Sequence, residues 1–348
     1  MTARRYFEFF RADFLKAGLV LAPFLAVAVA TCSAAMSRDA ADSARTALNH
    51  GRADDALRLL DTALQQDASD AEALNLRCRV LYTEELWDDA IMACERSVQI
   101  APGNSSYHMW LGRAYGEKAD RVSFVTAYKM AKLIRAEFES AASLDPRNGE
   151  ALSDLGEYYV AAPGFLGGGH NKAEAVAVQL DGFAPYRAHG LRARIAEHKK
   201  DYVEAEKELR AMVSSASHVS SQTFAQSWMD LGGFYRRQQR WDEMQAALES
   251  GSAASTDHGS ALIDGASSLL RADRDPKVTV ELAVDWMQQY LSGNALSEEA
   301  PAFVVHVRLA RVFQSQGDSA HAQRELAAAH ALASNYVGEK PEKTNTDR

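Results

Sequence analysis

The sequence predicts an all-α solenoid of stacked helix pairs, and three observations carry that expectation. Apolar residues make up 47% of the 348, enough to bury a long core, and only 8 are proline. The Val/Ile/Thr/Tyr alternation of strands is absent. One pattern of small and aromatic residues also returns along the chain with a period near 34, and such self-similarity marks a repeat architecture.

The first 30 residues read as an export segment and stand apart from the fold. Arg4, Arg5, Arg11 and Lys16 make a basic leader, residues 17–30 are uncharged, and Ala28-Val29-Ala30 offers a cleavage site. The run is shorter than the roughly 20 residues that span a bilayer. No charge appears before Arg38, so an uncleaved anchor over 17–36 is a second reading. A lipid-modified Cys32 after Val29-Ala30-Thr31 is a third, although Thr before Cys departs from the usual pattern. All three put the folded part outside the cytoplasm, and membrane contact is expected only through this segment.

The repeat is read directly from the residues. Trp228-x-x-Leu231-Gly232-x-x-Tyr235 is followed by Met244-x-x-x-Leu248, and Leu152-x-x-Leu155-Gly156-x-x-Tyr159 restates its first half. Leu111-Gly112-x-x-Tyr115 leads to Ile134-x-x-x-Phe138-x-x-Ala141 and Pro146; Leu309-Ala310-x-x-Phe313 leads to Ala322-x-x-x-Leu326-x-x-Ala329. Ala56 and Ala90 stand 34 residues apart, and Pro102 closes the second unit. Gly112, Gly156, Gly232 and Ala310 are small enough to let a second helix approach the first. Ala56, Ala90, Ala205 and Ala322 do the same from the second helix, while Pro102, Pro146 and Pro185 punctuate the units.

This pattern resembles the tetratricopeptide repeat, W-x2-L-G-x2-Y then A-x3-F-x2-A then P. The resemblance covers residues 37–336 and implies a right-handed superhelical solenoid, a curved rod of about eight units with a concave groove lined by first helices. The expected units are 37–70, 71–104, 105–148, 149–185, 186–220, 225–258, 259–295 and 303–336. The third is enlarged around Asp120 to Lys132, the fourth by Ala162-Pro163-Gly164-Phe165-Leu166-Gly167-Gly168-Gly169. Residues 337–348 read as a disordered tail. The glycine-rich stretch of the fourth unit also resembles that of a subgroup of exported bacterial repeat proteins.

Candidate chemistry is sparse. The resemblance points the ninth motif position into the groove, where this sequence has Arg45, Arg79, Arg113, Glu157, Arg194, Gly233 and Arg311, with Arg236 and Arg237 one turn past Gly233. Arginine forks suit carboxylates, so one reading is a strip that grips an acidic peptide. The other is that Glu72, Glu117, Glu150, Glu157 and Glu197 neutralise the arginines internally. Gly164 to Gly169 with Lys172 lacks the Gly-Lys-Ser/Thr ending of a phosphate loop. It is read as a flexible loop, with an anion site at the next helix as the alternative. Val122, Phe124, Val125, Tyr128 and Met130 form either an apolar lip for a partner helix or acyl chain, or an extension of the core. Cys78 and Cys94 occupy facing small-residue positions and form either a disulfide or two buried thiols.

No His-Glu-x-x-His, Cys-x-x-Cys or Gly-x-Ser-x-Gly occurs, and His170 and His198 read as solvated surface residues. No metal, cofactor or catalytic residue is expected. The net charge of −9 gives no basic footprint for nucleic acid. The expected function is a non-catalytic adaptor in the cell envelope, periplasmic or anchored facing the periplasm, that binds a protein or peptide in its groove. The alternative is a periplasmic carrier of an anionic or lipidic small molecule.

Overall fold

The computed structural model describes residues 39–272 and 276–336. The export segment 1–30, Cys32 and the tail 337–348 lie outside the described residues, which are helical throughout and contain no strand. Eight antiparallel pairs follow one another: α1 (39–49) with α2 (Ala53–Gln66), α3 (Ala71–Thr83) with α4 (Trp87–Ile100), α5 (Ser105–Ala119) with α6 (Phe124–Leu144), and α7 (Gly149–Ala161) with α8 (His170–Asp181). Then come α9 (Pro185–His198) with α10 (Tyr202–Ala216), α11 (Ser221–Arg237) with α12 (Trp241–Ala254), α13 (Ala261–Leu270) with α14 (Pro276–Ser292), and α15 (Ala302–Ser315) with α16 (Ser319–Leu332).

Local chemistry sets the helix ends. Asp70, Asn104, Asn148, Asp201, Ser220 and Asp318 each accept a hydrogen bond from an amide of the first turn that follows. The tight turns inside units use a left-handed residue, at Gly51, Glu85, Lys200, Gln239 and Gly317. Each is followed by an amide that donates back five residues, as from Asp201 to Ala196 and from Arg240 to Tyr235. A left-handed conformation costs a side-chain-bearing residue about 1 kcal/mol. Lys200→Gly is therefore expected to raise the unfolding free energy by about 0.5–1 kcal/mol, read by urea denaturation. An unchanged or lowered midpoint would contradict this.

Packing uses the small residues the repeat supplies. A Cβ on Gly112 would overlap Phe138 of α6, and one on Gly232 would overlap Leu248 of α12, so both glycines seat their own second helix. Gly156 differs: the atom it makes room for is Leu191 of α9, in the next unit. The glycine-rich connection joins α7 to α8, and α9 fills the space at Gly156. Ala56, Ala90, Ala205 and Ala322 are buried as expected. Adjacent units are further tied by a recurring bond: Tyr115, Tyr159 and Tyr235 donate to Glu95, Glu139 and Glu206 of the preceding second helix at 2.6, 2.9 and 2.8 Å. Within units, His108 meets Glu137, His189 meets Glu208 and His306 meets Glu325, each at 2.6 Å.

The ends of the stack meet. Phe303, Val304 and Val307 of α15 share a buried cluster with Ala44, Ala47 and Leu48 of α1 and Leu60 of α2. Gly51 lies so close to Ala302 that a Cβ there would overlap its backbone. The Ser334 amide donates to the Asp54 carboxylate at 3.1 Å, and Arg79 Nε donates to Glu298 at 2.9 Å across the interior. Each end unit of a solenoid has one apolar face with no neighbour, and here the two faces cover each other. The expected curved rod thus becomes a closed stack.

Candidate partner-binding cleft

A cleft of about 860 Å³ opens between the third and fourth units. One wall is the start of α6, the longest helix at 21 residues, whose first turns carry Phe124, Ala127, Tyr128 and Ala131. The opposite wall is Tyr158, Val160 and Ala161 of α7 with Pro163, Phe165 and Leu166 of the connection that follows. The inner end reaches the concave face at Arg113, Asp154, Glu157, Arg194, Glu197 and Arg237. Phe124, Val125 and Phe165 are 80%, 65% and 70% exposed. The expected apolar lip is therefore split: Phe124 and Tyr128 line the cleft, Val125 is exposed beside it, and Met130 and Val122 join the core.

The glycine-rich connection is fixed rather than flexible. Gly167 and Gly169 adopt positive φ of 93° and 154°, and a Cβ on Gly168 would collide with the carbonyl of Ala162. Tyr158 Oη donates to the Leu166 carbonyl at 2.9 Å, Arg135 Nη1 donates to the same oxygen at 3.2 Å, and Phe165 stacks on Tyr128 with centroids 6.3 Å apart. The anion-site alternative also fails on geometry. The amides of Gly167, Gly168 and Gly169 donate to Gly164, Pro163 and Tyr159, and Lys172 Nζ donates to the Gly167 carbonyl at 2.8 Å.

The arginines of the expected strip all lie on first helices, yet they do not form an open positive surface. Arg45 pairs with Glu72, and Arg79 with Glu298. Arg113 is bonded to Asp154 at 2.6 Å and Glu150 at 3.4 Å; Arg194 and Arg237 share Glu197 at 3.8 and 2.9 Å. Arg236 and Arg311 make interactions of their own. Arg79 and Arg113 also flank the Trp110 ring, at 5.1 and 4.8 Å from its centroid. Arg45 and Arg113 thus meet carboxylates of the next first helix, Arg237 one of the preceding first helix, Arg194 one on its own helix and Arg79 one in the connection before α15.

The tetratricopeptide repeat family model matches residues 42–105, which span the first two helix pairs and their caps. Over those residues the chain carries tetratricopeptide repeats. No curated protein matches it. Among solved structures, a thermophilic repeat protein of Thermus thermophilus is similar at 19% identity and a TM-score of 0.46, over 60% of this chain and 99% of that one. A repeat protein of Parabacteroides merdae is similar at 12% identity and 0.45, over 74% and 93%. YrrB, described as having an unusual peptide-binding site, is similar at 17% and 0.35, over 48% and 79%.

Cys78 of α3 and Cys94 of α4 are bonded, fully buried, with Cα atoms 5.2 Å apart. They take the facing small-residue positions of the second unit. His170 and His198 lie at the surface, as expected, with Nε2 and Nδ1 2.9 Å apart, and His198 lines the cleft. Among the described residues no group of three His, Cys, Asp or Glu is placed to hold a metal, and no helix is long and apolar enough to cross a membrane. Sequence reasoning missed Phe165 and Leu166 as a wall. The signal was two large apolar residues inside a glycine run, where a solvated loop has no use for them.

Proposed function

We propose that this repeat protein is a non-catalytic scaffold of the cell envelope that holds a partner polypeptide in the cleft between its third and fourth units. The observation that carries the reading is the exposed apolar wall of Phe124, Val125 and Phe165 at the mouth of a fixed concave site. Apolar patches rimmed by polar groups are where proteins meet partners, and a rigid site loses little entropy on binding. The envelope location is supported by the leader in residues 1–30 and by the bond between Cys78 and Cys94, since such bonds persist in oxidising compartments.

A second reading, a carrier of a lipidic small molecule, is favoured by the cleft volume, which falls within the usual ligand range of roughly 300–1,000 Å³. The two readings separate on one preparation. Panning a random peptide library on the purified chain is expected to enrich apolar-anchored sequences, and a Phe124→Ser/Phe165→Ser variant with unchanged circular dichroism is expected to lose them. Equal enrichment on both would contradict the scaffold reading. A lipid that co-purifies with the wild type, and not with the variant, would establish the carrier instead.

A further inference from the structure

We infer that the cleft selects a cationic partner segment, one that buries an aromatic or branched apolar side chain against Phe124, Tyr128 and Phe165 and delivers a lysine or arginine to Glu157. The inference rests on the cleft reading above and names the chemistry of its occupant.

Charge complementarity carries it. At the inner end of the cleft Arg113 is held by Asp154 and Glu150 and Arg237 by Glu197, while the exposed Arg194 stands 3.8 Å from Glu197. The carboxylates are not all satisfied in return. Glu157 and Asp120 line the cleft with exposed side chains and have no hydrogen-bond or ion-pair partner among the described residues. Glu157 is also the one acidic residue of the groove-facing set in which five other units carry arginine.

Farther along the concave face two more carboxylates, Asp230 and Asp264, lie close together, with Arg237 near the first and Arg271 and Arg308 near the second. Gln226 Nε2 donates to Asp230 at 3.1 Å and to Asp264 at 2.7 Å, and this amide is the hydrogen-bond partner the two carboxylates share. Asp230 remains reachable by water, but protein surrounds it on the floor of the concavity. That desolvation, with Asp264 and Glu157 nearby, raises its pKa to about 6, while the Gln226 bond and Arg237 act in the opposite direction. The α6 wall carries a cation of its own, since Lys132 Nζ sits 4.5 Å over the Tyr128 ring, and like charge turns a basic residue of the partner away from it. A bound segment is thereby oriented, its basic residue toward Glu157 and its apolar residue between the aromatic walls.

Two synthetic amphipathic peptides with one apolar stripe of Leu and Phe test this, one with lysine and one with glutamate at every polar position. Fluorescence anisotropy with the full chain is expected to show the lysine peptide binding at least about tenfold tighter at low salt, the preference shrinking as salt rises. Glu157→Lys, on an exposed position that leaves the fold intact, is expected to reduce lysine-peptide affinity by about tenfold and to strengthen glutamate-peptide binding. Phe165→Ser is expected to weaken both peptides. A glutamate peptide that binds as well as or better than the lysine one overturns the charge inference and leaves the cleft reading standing. An unchanged preference in Glu157→Lys overturns it too. Failure of both peptides to bind the wild type contradicts the cleft reading and this inference together.

Discussion

Arg79→Ala is expected to lower the unfolding free energy by about 3 kcal/mol and to loosen the contact between the first and eighth units. Arg79 and Glu298 are only 18% and 16% exposed, and their two hydrogen bonds join residues 219 apart in sequence. Truncating the arginine leaves Glu298 sheltered without its cation and removes the guanidinium from the Trp110 face. Urea denaturation gives the loss, and hydrogen exchange locates it: amides of 302–307 are expected to exchange faster. A second change, Glu298→Gln, is expected to restore part of the stability, because the stranded charge disappears. A loss below about 1 kcal/mol would mean that the pair behaves as a surface ion pair, and the closure would need another support.

Glu84→Gln is expected to change how stability depends on pH. Glu84 is 2% exposed, at the end of α3, and neither carboxylate oxygen has a hydrogen-bond partner. Burial first, and the charge of Asp54 second, raise its pKa from 4.5 to about 7. The folded state thus holds the proton more tightly than the unfolded chain. Its contribution is fully present below about pH 4.5 and is lost as pH rises through about 7, for a total of about 3 kcal/mol. Asp230 shifts in the same direction, so the difference between wild type and variant isolates Glu84. The variant is expected to be the more stable protein at pH 8 and to show a shallower decline between pH 5 and 8. Parallel profiles would show that Glu84 is solvated in the folded state.

What the residues disclosed followed the range of the interactions involved. The helix pairs were legible because Gly112, Gly232, Tyr115 and Tyr235 act within a unit or on its neighbour, and such contacts recur at a fixed period. The left-handed turns were legible only at Gly51 and Gly317. Glu85, Lys200 and Gln239 adopt the same conformation without the residue that advertises it. The closure was illegible, since Arg79 and Glu298, or Asp54 and Ser334, sit in units at opposite ends of the sequence. Their meeting depends on small rotations summed over every unit, which no motif encodes. The arginine positions could be read, and part of their partners: Glu72, Glu150 and Glu197 pair with them as the face pattern suggested, whereas Asp154 and Glu298 lay outside it. Half of the cleft was legible too, as the lip of Phe124 and Tyr128. The other half required the Gly167 and Gly168 geometry that turns Phe165 back onto Tyr128.

Closure ties Glu298 to Arg79 across the interior and packs the first and eighth units against each other. Pulsed electron resonance between spin labels at Arg58 of α2 and Asn335 after α16 tests it most directly. The closed arrangement predicts one narrow distance of about 20 Å, label arms included, because Ser334 touches Asp54 one turn from Arg58. An open stack of eight pairs spaced by about 9 Å would instead give a broad distribution centred near 60 Å, and that result would contradict the account.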